Sequence, residues 1–312
     1  MTQSTIPMNG LFSCEYFDIE SKHTKGILRI FVGKPPGFDS NARYPVIYTL
    51  DGNASFASLT GTQRMLTQGG EMPPSFVIGI GYPGETLWES MARRNRDYAP
   101  SDPGEAEIRA LGATEKAGGA DFLRFLQEEL KPLIERRYPV DPKNSTLQGV
   151  SLGGLFGVWV LLTEPGAFQN YILGSPAIWW RQEEFWQWEQ SYADCHKDLP
   201  ASVFVGAGAL ENKDSLRADA LKIAEKNIVL REQVEQVISW NDEHGWPEVA
   251  DLVPRLVNQL RQRSFPGLRI HSHIFPDESH MSVPAAISSR GLRYVFGSWV
   301  PCADLTTRCG RA

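Results

Sequence analysis

A serine between two glycines is the first feature of this sequence that suggests chemistry. Gly149-Val150-Ser151-Leu152-Gly153 matches the pattern Gly-x-Ser-x-Gly, which on its own is weak because both residue types are common. A short apolar run, residues 146–150, precedes the serine, and an apolar helical pattern follows it. A sharp turn from strand to helix exposes a serine hydroxyl above the sheet. Ser151 is therefore predicted to be a nucleophile, and the alternative is a small-residue turn without chemistry.

A serine nucleophile needs a general base, and histidine is the usual one because it titrates near neutral pH. In chains that use this turn, the acid and then the histidine follow the serine in sequence. Of the six histidines, His280 lies in the loop just after the last apolar strand, residues 268–275. The sequence therefore predicts His280 as the base, against the alternative of a surface loop histidine.

The acid that orients the base is predicted to be Glu211. It lies shortly after the apolar run 203–205, at the expected end of a strand. Asp214 is a rival three residues later, and Asp277 and Glu278 are neighbours of His280 in sequence. A catalytic pair of serine and histidine without a close carboxylate also remains open.

Two backbone N–H groups are predicted to bind the oxyanion of a tetrahedral intermediate. One belongs to Leu152, directly after the nucleophile. The other belongs to Asn53, because Asp51-Gly52-Asn53 follows the strand 44–50. The alternative for Asp51-Gly52 is an ordinary turn.

Three side chains are candidate substrate ligands. Arg96 lies in the charged stretch 93–98, where it either binds an anionic or aromatic group or forms a structural Arg–Asp pair. Trp179 and Trp180 follow a strand end, where they are either exposed at the rim of the site or packed under a lid.

The elements that position these residues alternate between strands and helices. An amphipathic helical stripe covers residues 122–134. This alternation predicts an α/β fold, with a mostly parallel sheet of about eight strands and helices on both faces. We expect a single domain over residues 1–312, with candidate cap or lid segments at 179–198 and 212–263. The predicted strands are 16–19, 27–32, 44–50, 76–80, 146–150, 171–173, 203–205 and 268–275.

Composition excludes several other classes of protein. The chain has 312 residues, a net charge of -6 and no basic tract, so nucleic-acid binding is not expected. No apolar run approaches the roughly 20 residues of a membrane-spanning helix. The N-terminus lacks the pattern of a secretory signal, so a cytoplasmic location is expected.

The cysteines and histidines give no metal-binding pattern. The four cysteines, Cys14, Cys195, Cys302 and Cys309, are scattered. They are expected to be reduced, and a disulfide between Cys302 and Cys309 is the alternative. His271 and His273 share one face of a strand, but no third ligand is in place, so neither a metal nor a cofactor is expected.

Seven short motifs recur here in an order that resembles the "Putative esterase" family, over about residues 10 to 300. Bacterial esterases that cleave trilactone siderophores, and fungal esterases for fusarinine-type siderophores, are the most similar branches. The stretch 212–263 is longer than the usual connection. The motifs are Leu50-Asp51-Gly52, Arg96-Asp97-Tyr98, Gly118-Gly119-Ala120, Gly149 to Gly154, Ser175-Pro176 with Trp179-Trp180, Gly208-Ala209-Leu210-Glu211 and Glu278-Ser279-His280.

The resemblance implies an α/β-hydrolase fold without a metal. It also implies Ser151 as nucleophile, His280 as base, Glu211 as acid and an arginine in the Arg96 loop that helps to bind a ferric siderophore. The predicted function is hydrolysis of a small-molecule carboxylic ester through an acyl-enzyme, on a siderophore trilactone or another bulky ester. An acyltransferase with an alcohol acceptor and a non-catalytic binding protein are the alternatives. The oligomeric state is left open.

Overall fold

A sheet of nine strands forms the centre of the part of the chain described by the computed structural model, which is residues 5–8, 10–84, 88–113, 115–228 and 230–297. The strand order is β1-β2-β3-β5-β4-β6-β7-β8-β9. The strands from β4 onwards are parallel to one another, whereas β1, β2 and β3 pair in antiparallel fashion. The strands are β1 (Ile6–Pro7), β2 (Cys14–Ser21), β3 (Gly26–Gly33), β4 (Tyr44–Thr49), β5 (Phe76–Gly81), β6 (Val140–Val150), β7 (Asn170–Gly174), β8 (Ser202–Gly208) and β9 (Arg269–Phe275).

All eight predicted strands are confirmed, and so is the mostly parallel sheet. The ninth strand, β1, has two residues and no apolar pattern that could announce it. Strand β6 begins at Val140, six residues before the predicted start, because a polar segment continues the pairing with β4 through an irregularity in register. The apolar runs marked the buried centres of the strands correctly, since both faces of this sheet are covered.

Helices cover both faces of the sheet, as the alternating pattern predicted. Helices α1 and α11 pack on one face, where Phe56 and Ile287 share a core cluster with Ile47 of β4. Helix α6 packs on the opposite face, where Phe156 shares a second cluster with Tyr48 of β4. The helices are α1 (Gly52–Gln68), α2 (Met91–Tyr98), α3 (Glu105–Leu111), α4 (Gly119–Arg124), α5 (Lys131–Arg137), α6 (Leu152–Thr163), α7 (Gln182–Cys195), α8 (Lys213–Lys226), α9 (Arg231–His244), α10 (Val249–Gln262) and α11 (Val283–Val295).

The amphipathic helix predicted at 122–134 is present as α4 and α5. A π-helical segment, Phe125–Leu130, joins them into one continuous helix. Phe122, Leu126 and Ile134 of this helix are fully buried.

A cap role for residues 179–198 and 212–263 stays a prediction, but two helices of these segments pack against the layers of the fold. Helix α10 packs on β8 and β9 as a layer helix, and it buries Val253, Leu256 and Leu260. Helix α7 packs on α6, and an ion pair from its buried Glu189 to Arg263 ties it to the end of α10. The part of these two segments that lies outside the packed layers is therefore the helix pair α8 and α9, here called the α8–α9 excursion. These two helices contact each other, and α9 also contacts α3.

Among the residues with described positions, no helix has the length and apolar character needed to cross a membrane. Cys14 is buried and Cys195 is exposed, and both are free thiols. The alternative disulfide between Cys302 and Cys309 lies outside the described residues.

Candidate active site

The predicted catalytic residues and Ser175 follow four neighbouring parallel strands, so they lie at one edge of the sheet. Ser151 follows β6, Ser175 follows β7, Glu211 lies three residues after β8, and His280 lies in the loop after β9. Strands β6, β7, β8 and β9 are consecutive neighbours. Parallel strands end at the same edge, so the four residues are brought close in space although 129 positions separate the first from the last in sequence (280 − 151).

Ser151 occupies a strained turn between β6 and α6. Its backbone has φ 59° and ψ −122°, a region that non-glycine residues rarely adopt. The turn is anchored to the next strand, because Ser151 N–H donates to Gly174 O at 2.9 Å. Gly149 permits the turn, since a Cβ there would lie 2.3 Å from Gly153 O. The strand–serine–helix geometry predicted from the sequence is present.

Glu211 and His280 form a hydrogen-bonded pair next to this turn. His280 Nδ1 donates to Glu211 Oε2 at 2.7 Å. Glu211 Oε1 accepts two further hydrogen bonds, from Ser175 Oγ at 2.6 Å and from Gly208 N–H at 2.7 Å. The Glu211 side chain is 0% exposed, whereas that of His280 is 35% exposed. The buried carboxylate therefore fixes one ring nitrogen of a histidine that is still partly exposed to solvent.

The environment of Glu211 keeps its carboxylate ionised. Burial alone would raise the pKa of this side chain, but hydrogen bonds from His280, Ser175 and Gly208, with the charge of His280, hold the pKa below its ordinary value. An ionised carboxylate in this position favours the tautomer with the proton on Nδ1 and stabilises the imidazolium form.

The other acids proposed from the sequence do not take this position. Among the described residues, Glu211 is the carboxylate that hydrogen-bonds to the His280 ring, and Asp214 lies in the first turn of α8. Glu278 instead accepts from the Ser282 hydroxyl. The alternative of a histidine without a close carboxylate is wrong, because Glu211 is in direct contact with the ring.

The two predicted oxyanion donors lie at the starts of helices. Leu152 is the first residue of α6, and Asn53 is the second residue of α1. The first N–H groups of a helix have no partner within it and point toward a bound anion. Strand β4, which leads to Asn53, is the neighbour of β6, which leads to Leu152. Their role as donors stays a prediction.

The contacts of Arg96 do not indicate a substrate-binding role. Its guanidinium donates twice to Asp97 Oδ1, at 2.9 and 2.7 Å, and once to Thr24 O at 3.3 Å. Glu115 lies 3.8 Å away on its other side. The positive charge of Arg96 is therefore already paired with acidic side chains. This agrees with the alternative that the sequence left open, an Arg–Asp pair that orders the loop.

The two tryptophans after β7 have different surroundings. Trp180 is 0% exposed, so the prediction of an exposed rim tryptophan is wrong for this residue, whose indole N–H donates to Ser101 Oγ at 3.4 Å. Trp179 is half-buried and borders a cleft of about 610 Å³. The cleft also contacts α3, α9 and α10, and its lining includes Ala106, Trp240, Trp246, Asp251 and Arg255.

Two residues close in sequence to the cleft lining are hydrogen-bonded to the candidate catalytic segments, although Ser151, Glu211 and His280 do not themselves line the cleft. Ala177, two positions before Trp179, donates its N–H to Ser151 O at 3.1 Å. Ala250, in the first turn of α10, donates its N–H to Glu211 O at 3.3 Å. The chain segments that supply Trp179 and Asp251 to the cleft are therefore each tied by one backbone hydrogen bond to the nucleophile turn or to the acid.

Sequence reasoning assigned no role to three residues that build the site. Ser175 is buried and holds Glu211. Gly208 lets the His280 loop approach, because a Cβ there would lie 2.1 Å from Glu278 O. Arg94 binds Asp51. The signal for Ser175 was present, since it is a polar residue at the end of a buried strand.

Among the described residues, no group of three or more histidine, cysteine or acidic side chains is arranged to hold a metal ion. His271 lies near the rings of Phe204 and Tyr294. Burial, together with the charge of Arg290, lowers the pKa of His273.

Comparison with known proteins agrees with this geometry. The ferri-bacillibactin esterase BesA of Bacillus subtilis (strain 168) is 32% identical over 288 residues, which are 89% of this chain and 88% of BesA. The siderophore triacetylfusarinine C esterase of Aspergillus fumigatus is 28% identical over 264 residues, 82% of each chain. The crystal structure of the BES protein from Bacillus cereus is 26% identical, with a TM-score of 0.73, and the match covers 96% of this chain and 100% of that one.

The parallel sheet, the strained serine turn and the histidine–carboxylate pair define an α/β-hydrolase. Residues 21–261 match the model of the "Putative esterase" family, and the chain belongs to that family. The protein is a carboxylic ester hydrolase, as the sequence predicted.

Proposed function

We propose that Ser151, His280 and Glu211 form the catalytic triad of this ester hydrolase. The observation that carries the proposal is the 2.7 Å hydrogen bond from His280 Nδ1 to the buried Glu211, beside the strained turn of Ser151. That bond leaves Nε2 of the ring as the atom that can take the proton of Ser151 Oγ. The hydrogen bond between serine and histidine is often long before substrate binds.

The reaction has two halves that use the same groups. Ser151 Oγ attacks the ester carbonyl while His280 Nε2 accepts the hydroxyl proton, and the N–H groups of Leu152 and Asn53 bind the oxyanion. The intermediate collapses, and His280 returns the proton to the departing alcohol. Water then attacks the acyl-enzyme by the same route and releases the acid. Glu211 orients the ring and stabilises its charged form throughout.

The proposed substrate is a siderophore ester with a bulky acid or alcohol part. The proteins named above act, by their names, on ferri-bacillibactin and triacetylfusarinine C. The cleft of about 610 Å³ supports this substrate class, because a pocket of that size holds a drug-sized ligand. Half-buried Trp179, Trp240 and Trp246 give it large flat apolar surfaces.

The test compares wild type, Ser151→Ala and His280→Ala on two classes of substrate, short p-nitrophenyl esters and ferric trilactone siderophores. We expect both variants to lose more than about a thousandfold in kcat on every substrate the wild type cleaves. Circular dichroism provides the control for folding. Turnover that survives in a folded Ser151→Ala enzyme would contradict the proposed nucleophile. Cleavage of small esters without cleavage of any siderophore would contradict the proposed substrate only.

An acyltransferase with the same residues is the second candidate, since an alcohol can replace water in the deacylation step. The partition of the acyl group between water and an added alcohol distinguishes the two functions. A non-catalytic binding role would require that a fluorophosphonate fail to label Ser151 in the folded protein. The cytoplasmic location and the absence of nucleic-acid partners stay predictions.

A further inference from the structure

A buried ion pair lies at the start of helix α1, next to the proposed oxyanion donors. Arg94 Nε and Nη2 donate to Asp51 Oδ1 and Oδ2 at 2.7 and 2.9 Å. The two side chains are only 8% and 12% exposed. Asp51 directly precedes α1, in a left-handed conformation with φ 54°, and Arg94 lies in α2. A two-pronged contact of this kind fixes the position of the carboxylate as well as its charge.

The same pair reaches the nucleophile turn. Arg94 Nη2 lies 3.5 Å from Val150 O, the carbonyl that precedes Ser151. Asp51 Oδ2 lies 3.6 Å from the place that a Cβ on Gly153 would occupy. The ion pair therefore contacts both segments that carry the proposed oxyanion donors, the Asp51 loop and the serine turn.

The charge of Asp51 explains why a cation is needed here. Negative charge develops on the substrate oxygen in the transition state, and a nearby buried carboxylate would oppose it. Burial alone would lower the pKa of Arg94, but Asp51 holds that pKa above its ordinary value, so the guanidinium stays charged. The hydroxyl of Tyr98 accepts from Asp51 N–H at 3.0 Å, and among the described residues Tyr82 and Asp97 are further titratable groups near the pair.

We propose that Arg94 is a positioning residue for ester hydrolysis. It holds the Asp51 loop against the serine turn and neutralises the Asp51 carboxylate, so that the donors of Leu152 and Asn53 act on the oxyanion without an opposing charge. Arg94 itself does not touch the reacting atoms. This inference rests on the proposed function, because it takes Ser151 as the nucleophile.

The experiment compares Arg94→Met, the double variant Asp51→Asn/Arg94→Met, and Arg263→Met as a matched control. Arg263 also pairs with a buried acid, Glu189, at 2.8 Å. It lies at the C-terminal end of α10, whereas the N-terminal end of that helix contacts Glu211. With a p-nitrophenyl ester, Arg94→Met should lower kcat about a hundredfold, the effect of losing an oxyanion interaction, with KM within about threefold. The double variant should regain at least about tenfold of that loss. Arg263→Met should lower the melting temperature and leave kcat unchanged.

Rates are expressed per folded active site, counted by fluorophosphonate labelling of Ser151. A double variant no faster than Arg94→Met would overturn the neutralising role, and a wild-type kcat in Arg94→Met would overturn the proposal. If Arg94→Met does not fold, Arg94→Lys is used instead, because it keeps the charge but loses the two-pronged contact. A wild-type kcat in Arg94→Lys would overturn the positioning role. Turnover that persists in Ser151→Ala would instead defeat the proposed function, so the two failures are separable.

Discussion

At the scale of single residues, the buried Glu211 couples the proposed chemistry to stability in acid. Burial alone would raise its pKa, but its hydrogen bonds hold the pKa below the ordinary value of 4.5. A group whose folded pKa is lowered stabilises the protein above the unfolded pKa, and this stability is lost as the pH falls through the folded pKa. We therefore expect the wild type to lose unfolding free energy below about pH 4.5 more steeply than Glu211→Gln.

Urea unfolding at a series of acid pH values measures this difference. Ser175→Ala serves as the intermediate case, because it removes one of the donors to Glu211 and leaves those of His280 and Gly208. Its loss of unfolding free energy at neutral pH should be about 1–3 kcal/mol, the usual cost for a hydrogen bond to a buried charged group. Equal pH slopes in wild type and Glu211→Gln would show that this carboxylate is not held in the ionised state.

At the scale of elements, the turn between β6 and α6 makes unequal demands on its two motif glycines. A Cβ at Gly149 would lie 2.3 Å from Gly153 O, which is backbone and cannot move aside. A Cβ at Gly153 would meet nothing nearer than Leu50 Cδ1 at 3.4 Å, an ordinary contact. We expect Gly149→Ala to unfold the turn or to abolish activity, with a loss of several kcal/mol in unfolding free energy, and Gly153→Ala to keep most of the wild-type rate. Thermal melts and ester hydrolysis of this matched pair provide the measurement. Equal damage from both substitutions would mean that the close approach seen at Gly149 is not what limits the turn.

The elements also show why part of the site was predictable from sequence. Ser151, Glu211 and His280 each follow an apolar run, and a strand end is a local signal that fixes where a residue lies on a parallel sheet. The strand order of neighbours then brings the three together. The strand ends indicate Glu211 as the partner of His280, but only the side-chain contacts decide between it and the other candidate acids.

Contacts made by packing between elements were not predictable in the same way. The Arg94–Asp51 pair joins residues 43 positions apart, one in α2 and the other directly before α1. The stretch of arginines in the sequence does not show which one is buried, and its pattern indicates Arg96 rather than Arg94. Helix α10 was predicted as part of a cap, although its buried Val249, Val253, Leu256 and Leu260 recur at helical spacing, the pattern of a helix that packs on a sheet.

At the scale of the whole molecule, recognition of substrate and chemistry are built from different parts of the chain. The proposed catalytic residues follow the ends of sheet strands, whereas the cleft takes Trp240 and Trp246 from α9 and the segment after it. Helix α9 has no fully buried residue among those described, so its side chains can change without disturbing the core. Substitutions in the cleft should therefore alter the preference for substrate and leave the chemical step intact.

The double variant Trp240→Ala/Trp246→Ala tests this separation directly. We expect KM for a ferric trilactone siderophore to rise about tenfold or more, because two large flat contacts are lost, while kcat/KM for p-nitrophenyl acetate stays within about twofold. Trp188→Ala is the matched control, since Trp188 is also half-buried but packs on Phe185 in α7 and should change neither value. A proportional loss on both substrates would contradict this separation, because it would show that the two tryptophans stabilise the site as a whole. A loss confined to the siderophore would show that the α8–α9 excursion, and not the catalytic edge of the sheet, determines which ester is cleaved.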